Sequence, residues 1–283
     1  MQKISIEKYI ESSSPIKNEL RILFSKNKQL LIFDIGSCEG EDSIRYSRLF
    51  PNSKICSFEA LPKNQEKIKG NIKKYEVTNI KLFTIALSDK KGFFDFYISS
   101  GQPPHDKNNS FWDYGNKSSS LLKPDDKYQK HEWLKFNKAI KVQTDTLKDV
   151  CNHNNIKEID FIHLDVQGAE LKVLEGAGDI INKIKTVWLE VEKISLYKNQ
   201  PLNIDIEKFF IKRNFIKIKD TTNKISGDQL YINKNYFTEN QIRLIGFLHL
   251  VQKISNLALR PCFYFKKILF KLKNKFTIKK HYE

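Results

Sequence analysis

The run FIHLDVQGAELKVLEGAG, residues 161–178, is apolar and strand-like up to Asp165 and then passes directly into a helical pattern. An acid at such a junction is either a helix cap or a reactive group. Residues two apart in a strand share a face, so His163 accompanies Asp165. A carboxylate there can orient an acceptor hydroxyl, take its proton, or face a cation. An imidazole titrates near neutrality and could serve as the base instead, the alternative being a core histidine satisfied by a backbone carbonyl. Glu190, in the later run TVWLEVE, could meet Asp165 across a strand ladder. Two strand-end carboxylates can hold a divalent cation, but no third ligand is evident, so no metal is expected. Gly168 allows a tight turn, and Glu170, in the first helical turn, suits the helix dipole and reads as structural.

A second constellation lies in FDIGSCEGE, where an apolar run also turns into a helix. Its glycines, Gly36 and Gly40, do not form a dinucleotide fingerprint, since G-x-G-x-x-G from Gly36 would need glycine where Cys38 and Glu41 stand. Glu39, Glu41 and Asp42 crowd the helix start, where a phosphate would need positive potential. A ligand without phosphates that favours acids is S-adenosylmethionine, with its ammonium, sulfonium and ribose hydroxyls. Glu59 ends the next apolar run, nineteen residues after Gly40, where doubly wound proteins place a ribose-binding acid.

These residues need a frame. Strands alternate with helices: LLIFDIG, KICSFEA, IKLFTIALS, FIHLD and TVWLEVE as strands, EDSIRYSRLF, PKNQEKIKGNIKKY, AELKVLEGAGDIINKI and NIDIEKFFIKRNF as helices. IKVQTDTLKDVC reads as a short strand leading into a helix, and residues 16–29 as a helix preceding the first strand. FIKIKDTTNKISGDQLYINK reads as two strands around a Ser-Gly-Asp turn, an antiparallel edge hairpin. The alternation predicts an α/β, Rossmann-like, doubly wound and mostly parallel sheet, with ligands at the carboxyl ends of its strands. Residues 99–135 lose periodicity and form a candidate acceptor loop containing Trp112, Tyr114, Ser118 to Ser120, His131 and Trp133, with an exposed disordered insert as the alternative.

In order along the chain, FDIGSCEG, SFEALPKN, IALSDKKG, SSSL, TDTL, IDFIHLDVQGAELKVLEGA, WLEVE and GDQLYINK resemble the FkbM-type methyltransferase family, from about Leu30 to Phe237. Their combination is more specific than any one of them. The resemblance implies a class I fold and methyl transfer from S-adenosylmethionine to a hydroxyl. It implies cofactor contacts at Asp34, Gly36, Ser37 and Gly40 in the first motif, Glu59 and Ala60 in the second, and Ala86 and Leu87 in the third. It implies catalytic roles for Asp165, His163 and Glu190. Relatives more often carry glutamate at position 167 and lysine at 163, where this chain has Gln167 and His163, and the departures bear on which group is the base. A sugar hydroxyl of a surface glycan or its lipid-linked precursor is the expected acceptor. The alternatives are a small-molecule, lipid or nucleic-acid acceptor, or a non-catalytic S-adenosylmethionine-binding module. Nucleic acid is disfavoured because VQGAE follows Asp165, not the Pro-Pro-aromatic turn with which base-modifying amino-methyltransferases hold a flipped base.

Composition sets the outer bounds. The 283 residues are 40% hydrophobic, enough for one large α/β domain. Four cysteines without CxxC or Cys/His spacing suggest neither disulfides nor zinc, and with no apolar leader the expected location is cytoplasmic. Of the net charge of +16, residues 241–283 carry +9 and the rest +7. The expected organisation is an N-terminal helical extension (1–29), a methyltransferase domain (30–237) and a basic amphipathic tail (238–283). RPCFYFKKILFKLKNKF in that tail spaces apolar clusters and lysines as interfacial helices do, which predicts peripheral contact with anionic lipid at the inner face of the membrane.

Overall fold

The computed structural model describes residues 5–102, 114–125 and 133–255. Trp112, His131 and the tail beyond residue 255 lie outside the described residues, as does the Tyr114 side chain. Residues 1–237 form one compact unit, and a second begins at Thr238.

Two short helices come first, α1 (Ile6–Glu11) and α2 (Lys17–Leu23), followed by β1 (Leu31–Ile35), α3 (Glu41–Leu49), β2 (Lys54–Phe58), α4 (Pro62–Lys74) and β3 (Ile80–Phe83). Then come β4 (Ala86–Leu87), β5 (Gly92–Ser100), β6 (Lys135–Asp145), α5 (Leu147–His153), β7 (Ile159–Leu164), α6 (Glu170–Glu175) and β8 (Ile184–Glu192). The unit closes with α7 (Asn203–Ile211), β9 (Phe215–Asp220) and β10 (Ser226–Asn233). In the second unit, residues 239–255 form a helix, α8.

Seven strands form the main sheet in the order β3-β2-β1-β7-β8-β10-β9, parallel except for β10, which runs antiparallel to both neighbours. The fold is thus the doubly wound class I methyltransferase type. Its central strands, IDFIHL in β7 and IKTVWLEVE in β8, are nearly all buried, as expected where helices cover both faces. One cluster joins Phe33, Phe58, Ile162, Leu164, Val187 and Leu189 of the sheet to Leu147, Val173, Leu174 and Phe210 of the helices. Local signals start the helices: Pro62 in the first turn of α4, and Thr146 before α5, whose hydroxyl accepts the Asp149 N–H at 3.0 Å.

Several sequence expectations need correction. IKLFTIALS is not one strand: it divides between β3 in the main sheet and β4 in a second sheet of three strands, ordered β4-β6-β5. The helix expected through Ile184 ends at Glu175, and after Gly176 and Ala177 a 3-10 turn spans Gly178–Lys183. The Ser-Gly-Asp run opens β10, and the turn lies just before it, where the Asn223 side chain accepts the Ile225 N–H at 2.8 Å. The strand leading into α5 is long, with eleven residues. The N-terminal helices pack on the sheet unit: the Tyr9 hydroxyl donates to Asp42 at 2.9 Å, and Lys219 of β9 donates to Glu19 at 2.7 Å.

The turn after β1 has no room for a side chain at Gly36. Its φ is +83°, and a Cβ would lie 1.8 Å from the Asp165 carbonyl oxygen. Gly36→Ala is expected to cost about 2–4 kcal/mol, through the left-handed backbone and the clash together. Urea denaturation measures it, and a loss below about 1 kcal/mol would show that the two backbones part easily.

Candidate active site

The strand order reverses between β1 and β7, leading to β2 on one side and β8 on the other, so the crevice where such sheets bind ligands opens at their carboxyl ends. The backbone there is tightly folded. The N–H groups of Gly36 and Ser37 both donate to the Phe58 carbonyl at 3.0 Å, and the Asp165 N–H donates to Ile35 at 3.0 Å. Cys38, with φ 49°, and Gln167, with φ 55°, hold left-handed conformations without being glycine. Such strain persists where the surrounding structure enforces it.

At the end of β2, Glu59 is buried. Its carboxylate accepts the Leu61 N–H at 2.8 Å and is further held by the Cys38 N–H and the Asn64 side chain. Burial outweighs these donors and pushes the group up to about 7. Ala60, next to it, accepts from Gln65 through its carbonyl. On the rim of the first turn, Glu39 pairs with Lys67 at 2.6 Å, and Glu41 pairs with Lys117.

At the end of β7, Asp34 and His163 lie side by side on paired strands, with Nδ1 3.1 Å from Asp34 Oδ1. The other Asp34 oxygen accepts the Ser43 hydroxyl at 2.6 Å, and Tyr46 meets the imidazole edge-on. Burial alone would favour the neutral ring, but the bond to Asp34 and the negative charges of Asp42, Asp34 and Asp165 prevail, pushing His163 up to about 9. The ring is therefore an imidazolium at neutral pH, unsuited to accept a proton.

Beyond His163, the Gln167 amide nitrogen bridges two carboxylates, donating to Asp165 Oδ1 at 2.8 Å and Glu190 Oε2 at 2.6 Å. Gln167 is itself held, its carbonyl accepting the Ser120 hydroxyl at 2.8 Å and its side-chain oxygen lying 3.3 Å from the Tyr197 hydroxyl. Burial raises both acids, but their surroundings differ. Asp165 is drawn back by Gln167, His163 and Lys117, whereas Glu190 faces further acids, Asp165, Glu192, Glu170 and Asp228, and is driven well above the carboxylate range. Glu192 rises to about 7 and Asp228 to about 6, again through burial and then Asp165's charge. Glu170 takes the structural place expected of it, its carboxylate accepting the Val166 and Gly168 N–H groups at 3.0 and 3.2 Å.

Asp34, Gly36, Ser37, His163, Asp165 and Glu190 thus gather at the switch point, Gly40 opens α3 beside them, and Glu59 and Ala60 lie one strand over. Ala86 and Leu87 sit in the second sheet, with Leu87 in the main core. Sequence reading did not single out Asn116, Lys117, Gln167 or Tyr197 as site residues. The departure at position 167 was the one signal among them.

Residues 34–217, more than half of the chain, match the family model described as the methyltransferase FkbM domain. The chain belongs to the FkbM methyltransferase family. It is an S-adenosylmethionine-dependent methyltransferase. It is 29% identical over 204 residues to the 2-O-methyltransferase NoeI of Sinorhizobium fredii, covering 72% of this chain and 79% of that one. Among solved structures it is similar to the methyltransferase FkbM of Methylobacillus flagellatus, with 14% identity, a TM-score of 0.48, and coverage of 81% of this chain but only 50% of that one. It is also similar to TrmK of M. capricolum, with 13% identity, a TM-score of 0.42, and coverage of 87% and 85%.

The buried groups predict how stability responds to pH. The folded-state values of Glu59 and Glu192 (about 7), Asp228 (about 6) and His163 (about 9) all exceed their ordinary ones. Between about pH 5.5 and 9 the folded chain therefore binds more protons than the unfolded one, and stability falls as pH rises. His163's share is complete below pH 6.5 and is lost as pH rises through about 9. The lowered carboxylates Glu7 and Asp220, at about 2, act in the opposite sense, below about pH 5.5. The ligand-free melting temperature should drop on the order of 5 °C from pH 6 to pH 8.5, and a flat or rising curve would contradict the assignment.

Proposed function

We propose that the chain methylates a hydroxyl group of an acceptor, with Asp165 as the proton acceptor and a sugar hydroxyl as the substrate group. The observation that carries this reading is the Asp165–Gln167–Glu190 bridge at the switch point. Of the pair, Asp165 is the acid whose charge is favoured, by Gln167, His163 and Lys117, while Glu190 lies among other acids that push it well above the carboxylate range. A NoeI-like 2-O-methyltransferase relative favours oxygen as the atom methylated.

The donor set suits S-adenosylmethionine. The Glu59 carboxylate stands at the end of β2 for the ribose hydroxyls, and the acids of the first turn suit a cationic ligand better than a phosphate. When bound, the cofactor supplies an electrophilic methyl group on sulfur. The chain's own work is positioning: aligning the acceptor hydroxyl for in-line attack, excluding water, and receiving the hydroxyl proton at Asp165. His163 serves as a fixed positive charge between Asp34 and Asp165. Asp165→Asn should lower turnover by about 10² or more while cofactor affinity, read by isothermal titration, stays within a few-fold. Full activity in Asp165→Asn together with its loss in His163→Phe would reverse the two roles.

A second observation favours a lipid-bound setting for that acceptor. Along α8, Leu244, Phe247, Leu250, Val251 and Ile254 recur at helical spacing, each about half exposed or more, and residues 241–283 carry +9. No helix among the described residues is long and apolar enough to cross a membrane. An apolar stripe followed along the chain by clustered lysines suits an anionic lipid surface, each lysine near it contributing about 1 kcal/mol. Vesicles rich in phosphatidylserine should co-sediment the full chain at low salt, and a version ending at Thr238 should pellet far less. Equal pelleting of both versions, or binding indifferent to lipid charge, would count against an electrostatic anchor.

A further inference from the structure

Residues 116–120 join the starts of α3 and α4 to the segments that follow β7 and β8. The Asn116 side chain bonds Asn64 in the first turn of α4, and Asn64 also supports Glu59. Lys117 reaches Glu41, the first residue of α3. The Ser118 carbonyl accepts the Tyr197 hydroxyl at 2.7 Å, and the Ser120 hydroxyl donates to the Gln167 carbonyl at 2.8 Å. In five residues the chain passes from the β2 end to the β7 end.

A nucleoside whose ribose is held at Glu59 and whose reactive sulfur lies near Asp165 must follow the same path. Its amino-acid end then comes to the first turn, between Gly36 and Glu41. Among the described residues, Lys117 and Lys67 are the cations paired with the acids there. The charge of Lys117 acts on Cys38, Glu41 and Glu39 of the turn and also on Asp165 across the crevice, whereas Lys67 approaches Glu39 from α4. The Lys117 ammonium has three hydrogens. Glu41 is meanwhile fixed from its other oxygen by the Glu39 N–H at 2.9 Å, so the pair forms a rigid positive–negative couple in the rim. Such a couple matches a zwitterion: the ammonium of Lys117 for a carboxylate, the rim acids for an amine.

We propose that Lys117 binds the α-carboxylate of S-adenosylmethionine, an inference that rests on the cofactor reading above. It makes residues 116–120 the outer wall of the cofactor groove, with Asn116 at the ribose end and Ser120 at the methyl end. The cofactor, and not the acceptor, is then what the wall recognises.

The test is titration calorimetry with two nucleosides: S-adenosylhomocysteine, which carries the carboxylate, and 5′-methylthioadenosine, which keeps adenine and ribose but lacks the amino acid. Lys117→Met should weaken the first by roughly tenfold or more and the second by no more than about twofold, since one charge-assisted pair is lost. Lys117→Arg should keep both within a few-fold, which guards against a folding defect. Equal losses for both nucleosides would overturn the proposal and leave Lys117 as a tie for the wall, and no loss for either would place the carboxylate elsewhere. If the unmodified protein bound neither nucleoside, the cofactor reading itself would fall, a result distinct from either.

Discussion

The Asp165 carbonyl oxygen occupies the place where any residue other than glycine at position 36 would put its Cβ, so the ends of β1 and β7 are pressed together more closely than side chains allow. From that contact the rest of the crevice follows. It brings Asp34 and His163 onto one ladder rung, and Asp165 within reach of the first turn. The carboxylates nearby depart from their ordinary titration through burial and one another's charge.

Five acids, Glu170 and Glu192 buried and Asp165, Glu190 and Asp228 half-buried, lie close enough to raise one another. In a medium of low polarity they cannot all ionise together. What distinguishes them is the position of the cations. His163 and Lys117 lie on the Asp165 side and favour its charge, whereas Glu170 and Glu190, facing other acids, are pushed well above the carboxylate range. The neutral Gln167 bridge can then donate to both members of the central pair without settling the charge itself. A glutamate at that position would bring a further acid among them, which changes the balance of the whole group and not one hydrogen bond.

Much of this was legible from sequence because it depends on local pattern. Two apolar runs, FDIG turning at a glycine and FIHLD at an acid, marked both strand ends, and spacing of two residues placed His163 with Asp165. What escaped depends on partners far along the chain. Nothing in GNKSSSL signals that Asn116 would meet Asn64 or Lys117 meet Glu41, 76 residues away. The protonation of His163 was hidden for the same reason: Asp34, which decides it, lies 129 residues earlier. The division of IKLFTIALS between two sheets was missed because its apolar pattern is continuous, while its partners, Cys56 and Ser57 for the first half and Thr144 and Asp145 for the second, are not.

The parallel pairing of β1 with β7 also has a temporal side. β1 is among the first strands to be synthesised, and the residue that Asp34 needs for its ion pair follows 129 residues later. At roughly 5–20 residues per second, on the order of ten seconds separate the synthesis of β1 from that of its neighbour β7. The crevice is therefore assembled late, and during translation the β1 edge that β7 later covers is a surface that chaperones or neighbouring nascent chains would meet before β7 does.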